Sequence, residues 1–154
     1  MKSRLIAFAL ILGFAVNAHA INLSVSGGWA PTLGAADLAG GAGTGFRSTI
    51  ESPPAQVNLT ISGFVESTPW TIRVQGSSAA LPPGVTVAVR PTAEGNCGSL
   101  SLGQGYLEVT SFPQDLFSGV GSCSGINLQL QLLGVSIQHA PGNYGAEITY
   151  FLVQ

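Results

Sequence analysis

Apolar and polar residues alternate with a period of two along most of this chain. Ile21, Leu23 and Val25 alternate with Asn22, Ser24 and Ser26, and Val57, Leu59 and Ile61 with Asn58 and Thr60. Trp70, Ile72 and Val74 enclose Thr71 and Arg73, and Val85, Val87 and Val89 keep the same spacing. Ile126, Leu128, Leu130 and Leu132 alternate with Asn127, Gln129 and Gln131; Ala146, Ile148, Tyr150 and Leu152 alternate with Glu147 and Thr149. Side chains of a strand point to opposite faces in turn, so each run predicts a strand with one face on a core and one outward. Such alternation marks antiparallel sheets covered on one side. Tyr106, Leu107 and Val109 predict a further short strand, paired with Ser99 to Leu102 across Gly103-Gln104-Gly105. Leu132-Leu133 breaks the alternation and the phase resumes at Val135 and Ile137, which predicts a bulge or bend.

Between the runs stand turn-forming residues: Ser52-Pro53-Pro54, Leu81-Pro82-Pro83-Gly84 and Pro141-Gly142-Asn143. No window supports a long amphipathic helix, and Gln114 to Phe117 reads as at most one short turn. The pattern predicts an all-β, antiparallel sandwich of seven or eight strands.

The first 20 residues follow a different rule. Lys2 and Arg4 form a basic start, Leu5 to Val16 an almost unbroken apolar run, and Ala18-His19-Ala20 a small-residue site for cleavage. This order is that of a secretory signal peptide. The apolar run, about 12 residues, is shorter than the roughly 20 needed to cross a bilayer, which weighs against an uncleaved anchor. The expected organisation is therefore a signal peptide over 1–20 and one domain over 21–154, exported to the periplasm, the cell surface or the medium, with no membrane span after cleavage. Within the domain, 30–45 is rich in Gly and Ala. It reads either as a long surface loop or as a flexible connection that lets Ile21 to Trp29 pair elsewhere.

Export changes the charge. Lys2 and Arg4 leave with the leader, so Arg47, Arg73 and Arg90 face seven carboxylates, a net charge of −4 with no lysine. Such a chain offers nucleic acid or an anionic membrane no electrostatic footprint. Low charge with many Gly, Ser, Thr, Gln and Asn suits a surface that other subunits cover. The two cysteines, Cys97 and Cys123, are most simply a disulfide in an oxidising compartment. Closing a loop of 26 residues is worth about 3 kcal/mol in the chain-entropy description. A zinc site would want more ligands than these and His139, the one histidine beyond the leader.

Little else carries chemistry. His139 lies beside a Pro-Gly turn, and Gly121-Ser122-Cys123-Ser124-Gly125 reads as a turn bearing a disulfide before it reads as a nucleophile site. Glu51, Glu66, Glu94, Glu108 and Glu147 are scattered singly, without the local pair that would suggest glycoside hydrolysis. No calcium loop or phosphate-binding glycine loop is present, so no cofactor or metal is implied. The sequons at Asn22 and Asn58 fall on polar strand faces and matter only in a host that glycosylates its exports. Trp70 is in phase with Ile72 and Val74 and belongs to the core; Trp29, after Gly27-Gly28, is open to either role.

The stretch Pro141-Gly142-Asn143-Tyr144-Gly145-Ala146-Glu147-Ile148-Thr149-Tyr150-Phe151-Leu152 resembles the last strand of fimbrial subunits and spore coat protein U-like proteins. The alternating segment directly after the leader is similar to their donor strand. The resemblance covers the two ends of the chain. It implies an incomplete immunoglobulin-like sandwich, completed by a neighbour's N-terminal strand, and a periplasmic chaperone as a further partner. The donor would be Ile21, Leu23, Val25 and Trp29, and the acceptor groove Ile148, Tyr150 and Leu152. The chain departs from the family pattern in placing its cysteines in the second half of the domain and Val153, not an aromatic, next to Gln154.

Physically, an open sandwich leaves an unpaired edge and an apolar groove. A strand from the next chain satisfies both, and repeating that contact head to tail builds a filament. The leading expectation is therefore a structural subunit of an extracellular fibre or surface coat that self-assembles by strand donation, with a self-complemented monomer left open. The rival is a secreted binding module for carbohydrate or a surface partner, with Trp29, Tyr106, Phe112 and Phe117 as candidate contacts. An enzyme comes last.

Overall fold

The computed structural model describes residues 20–77, 81–97, 100–103, 105–139 and 145–154; the expected signal peptide up to residue 19 and the Pro141–Tyr144 turn lie outside them. Among the described residues there are ten strands: β1 (Asn22–Gly27), β2 (Thr49–Glu51), β3 (Val57–Ser62), β4 (Pro69–Ser77), β5 (Thr86–Ala93), β6 (Leu100–Leu102), β7 (Leu107–Glu108), β8 (Gln114–Val120), β9 (Cys123–Leu133) and β10 (Glu147–Val153). They form two antiparallel sheets. The first runs β1-β3-β9-β5-β7 with β2 also on β9; the second runs β10-β4-β8-β6. The all-β sandwich is as the alternation predicts. The count exceeds seven or eight because β2, three residues long, is too short to show a period and a bulge hides that of β8; β6 and β7 fall where short strands are expected.

In immunoglobulin lettering, β1, β3, β9 and β5 take places A, B, E and D of one sheet, and β4 and β10 take C and F of the other. A strand at place G would lie along the outer edge of β10, and no described strand does.

The core lies where the central strands face each other. Leu59, Ile72, Val74, Val89, Ile126 and Leu128 are fully buried, each worth about 1.5–3 kcal/mol in transfer terms. Trp70 meets Phe117 edge-on at 6.2 Å between ring centroids and donates its indole N–H to Gly121 O at 2.7 Å. A Cβ at position 119 would stand 2.6 Å from the Trp70 ring, so β8 carries glycine there. Ser52 is buried because it splices β2 to β3. Its N–H bonds Leu130 O, its Oγ accepts from Leu130 N, and its carbonyl accepts from Gln129 Nε2.

Several local expectations are refined. Gln114 to Phe117 belongs to strand β8. Its pairing with β4 skips Leu116, since Ile72 faces Phe117 and Arg73 faces Asp115. This bulge turns both Leu116 and Phe117 inward and destroys the alternation. At Leu132-Leu133 the expected irregularity is a bend: β9 ends there and the chain turns away at Gly134. Val135 is nonetheless buried, while Ile137 is 63% exposed. Finally, β6 and β7 do not pair with each other across the glycines: β6 pairs with β8 and β7 with β5, in opposite sheets.

Candidate interaction site at the sandwich seam

β1 and β10 are the terminal strands of the two sheets, and they face each other along one side of the sandwich. β1 pairs with β3 of its own chain over six residues, from Asn22 opposite Ser62 to Gly27 opposite Val57. β10 pairs with β4 over seven, from Glu147 opposite Ser77 to Val153 opposite Thr71. The outer edges of both carry no described partner.

Their apolar rows point into the seam without closing it. Ile21 is 44% and Val25 45% exposed, and Leu23 is half-buried against the core. Ile148, Tyr150 and Leu152 are likewise half-buried against it. Between the rows lies a cleft of about 150 Å³ whose walls include Val25, Trp29, Leu130, Ala146, Ile148 and Tyr150, with no charged residue. The residues expected as donor and acceptor thus meet in one chain, with Val25 and Trp29 on one wall and Ile148 and Tyr150 on the other; Ile21, Leu23 and Leu152 lie outside the cleft.

Two features of the seam could not be read from spacing. Gly27 has φ +98°, and a Cβ there would stand 2.2 Å from Gln56 O, so the chain leaves β1 at a position only glycine fills comfortably. The Gln56 side-chain amide then bonds Gly28 O, tying the exit down. The Tyr150 hydroxyl is buried and has no hydrogen-bond partner among the described residues. An unsatisfied group of this kind costs about 1–3 kcal/mol. Burial pushes the Tyr150 phenol well above its ordinary range, because the ionised form cannot be solvated there.

The 30–45 segment is partly docked. Leu33 is buried in the core, Ala35–Asp37 forms a 3₁₀ turn, Leu38 bridges Phe46, and Arg47 bonds Ala36 O at 3.0 Å.

Cys97 and Cys123 form the disulfide, with Cα atoms 4.9 Å apart. It ties the turn after β5 to the start of β9, reinforced by Asn96 Oδ1 accepting from Ser124 N at 2.6 Å. The flanking serines are engaged: Ser122 Oγ donates to Phe64 O, and Ser124 Oγ to Asn96 Oδ1. His139 Nδ1 accepts from Ser136 N at 3.2 Å. Arg73 pairs with Asp115 on an exposed face, Glu51 accepts from Gln131 Nε2, and no group of three or more metal-ligating side chains occurs among the described residues. Asn22 is exposed, whereas the Asn58 amide donates to Asn127 Oδ1 at 2.9 Å.

The candidate sugar contacts scatter. Phe117 is core, a correction forced by the β8 bulge. Tyr106 lies under the Arg90 guanidinium, 4.6 Å from its ring centroid, and Trp29 lines the seam. Phe112 alone of the four is largely exposed, at 75%, so they form no common platform.

Comparison with protein-family models, with curated proteins and with solved structures finds no match for this chain.

Proposed function

We propose that this chain is an exported structural subunit of an extracellular fibre or surface coat, assembled by exchange of its N-terminal strand between copies. The observation that carries the reading is the seam itself: an N-terminal edge strand facing an edge strand with no outer partner among the described residues, across an apolar cleft. In the single chain β1 lies on its own β3. The same backbone pairs and the same cleft contacts form when β1 comes from a neighbour, so exchange conserves contacts and concentration drives it. The glycine exit at 27–28 and the 30–45 segment supply the tether. Ile21, Leu23, Val25 and Trp29 are the donor residues, of which Val25 and Trp29 line the cleft; Ile148 and Tyr150 are its acceptor wall, with Leu152 beside it on β10. The resemblance of the two chain ends to fimbrial and spore coat protein U-like subunits points the same way, as does the low proportion of charged residues.

Light scattering on the chain from Ile21 onward, beside a chain beginning at Ala30, tests this. The second start keeps Leu33 in the core. Exchange predicts oligomers that grow with concentration for the first. The second should be destabilised, stay short, and recover on addition of an Ile21–Trp29 peptide. A longer chain that remains monomeric at every concentration would sink the reading.

A further inference from the structure

We propose that β10 forms a second contact between copies: it pairs edge to edge with β10 of another copy, antiparallel about Tyr150, and joins two four-stranded sheets into one. Among the described strands, the two sheets end in β1, β7, β10 and β6. These edges are not alike. β6 and β7 are three and two residues long, and edges that short offer little to pair with. β1 exposes Asn22, Ser24 and Ser26. β10 runs seven residues, Glu147–Val153, and pairs with β4 without a register shift. It has no proline and no lysine, and its one charge stands at its first residue. It therefore lacks the devices that keep a strand edge single, and no described strand lies on its outer side.

The order of residues in β10 identifies the partner as a second copy. Outward from Tyr150 stand Thr149 and Phe151, then Ile148 and Leu152, then Glu147 and Val153. Antiparallel self-pairing sets Ile148 against Leu152 of the second copy on the inner row, where both are only half-buried. It sets Thr149 against Phe151 on the outer face, where both are exposed. Apolar meets apolar, and an aromatic meets a β-branched residue, pairs that stabilise a ladder. The two Glu147 carboxylates then stand about 20 Å apart along the strands, beyond the range of screened repulsion; a parallel partner would hold them side by side. The contact is isologous and closes at two copies. It does not rest on strand exchange, which leaves the outer edge of β10 as it is.

The test is hydrogen exchange of the β10 amides, with sedimentation velocity beside it, on the chain from Ile21 onward. Protection of the 147–153 segment should rise with protein concentration as a dimer forms. Two double variants place like charges on the outer face: Thr149→Lys with Phe151→Lys, and Thr149→Glu with Phe151→Glu. Both positions are exposed, so neither pair of changes reaches the core. Each variant alone should dimerise about tenfold more weakly than the parent and lose the concentration-dependent protection. Mixing the two should restore it, because opposite charges then face each other. Protection of β10 that does not change with concentration overturns the proposal. So do variants that keep it separately, or a mixture that fails to recover it. Failure of strand exchange would leave these results unchanged, since neither position lines the cleft.

Discussion

β9 and β1 carry the same alternation and meet different fates. In β9, Ile126, Leu128, Leu130 and Leu132 are all 5% exposed or less, because β3 and β2 flank one edge, β5 the other, and the second sheet covers the face. In β1, Val25 remains 45% exposed although the strand is paired, and Ile21 just before it is 44% exposed. Alternation thus specifies that a strand has an apolar face. Whether that face is covered depends on what stands opposite, and at the seam only another edge strand does. The contrast separates a centre that holds the fold from a margin with apolar surface still to bury.

The sharpest way to break the contrast is to make the same kind of cut in both regions. Leu128→Ala should cost about 2–5 kcal/mol in denaturant unfolding, since a fully buried side chain leaves a cavity. Val25→Ala should cost about 1 kcal/mol or less, because water already covers much of that side chain. Equal costs would mean that the seam is as closed as the centre. Replacing both Cys97 and Cys123 by Ser should cost about 3 kcal/mol and leave β1 attached, since the disulfide staples the turn after β5 to β9. Protection of β1 amides from hydrogen exchange, relative to global stability, measures that separation.

The smallest effect is the most local. Tyr150→Phe removes an unpaired buried hydroxyl and should change stability at neutral pH by about 1 kcal/mol or less, towards greater stability. Its clearer signature is alkaline. The folded phenol is held protonated, while the unfolded one ionises near 10.0. Above that pH the unfolded state has lost a proton that the folded state keeps, so stability falls as pH rises. Melting curves through that range should show a shallower decline for Tyr150→Phe than for the parent chain. An unchanged slope would place the alkaline sensitivity elsewhere, with Tyr106, whose phenol burial also raises against the pull of Arg90, as the next group to replace.

Much of the fold was legible in the sequence because its signal is local. A period of two marks strands and their inner faces, and it found the long strands β1, β3, β4, β5, β9 and β10. Two cysteines with no other metal-ligand cluster around them marked the disulfide, and Trp70 in phase with its neighbours marked the core. What failed was also physical. β8 was invisible because one extra residue, Leu116, puts two apolar side chains in succession on the same face. β2 is too short for any period, whereas β6 and β7 fall where short strands are expected but pair elsewhere. The sheet each strand joins is a long-range choice: β6 and β7, a few residues apart, sit in opposite sheets.

The seam divides in the same way. Its residues could be named from alternation and resemblance. That Val25 and Trp29 meet Ile148 and Tyr150 in one chain and that, among the described residues, β10 has no partner on its outer edge and the buried Tyr150 hydroxyl none at all were decided only by tertiary structure. Backbone pattern determines which way a side chain points, but coverage and pairing depend on residues more than a hundred positions away.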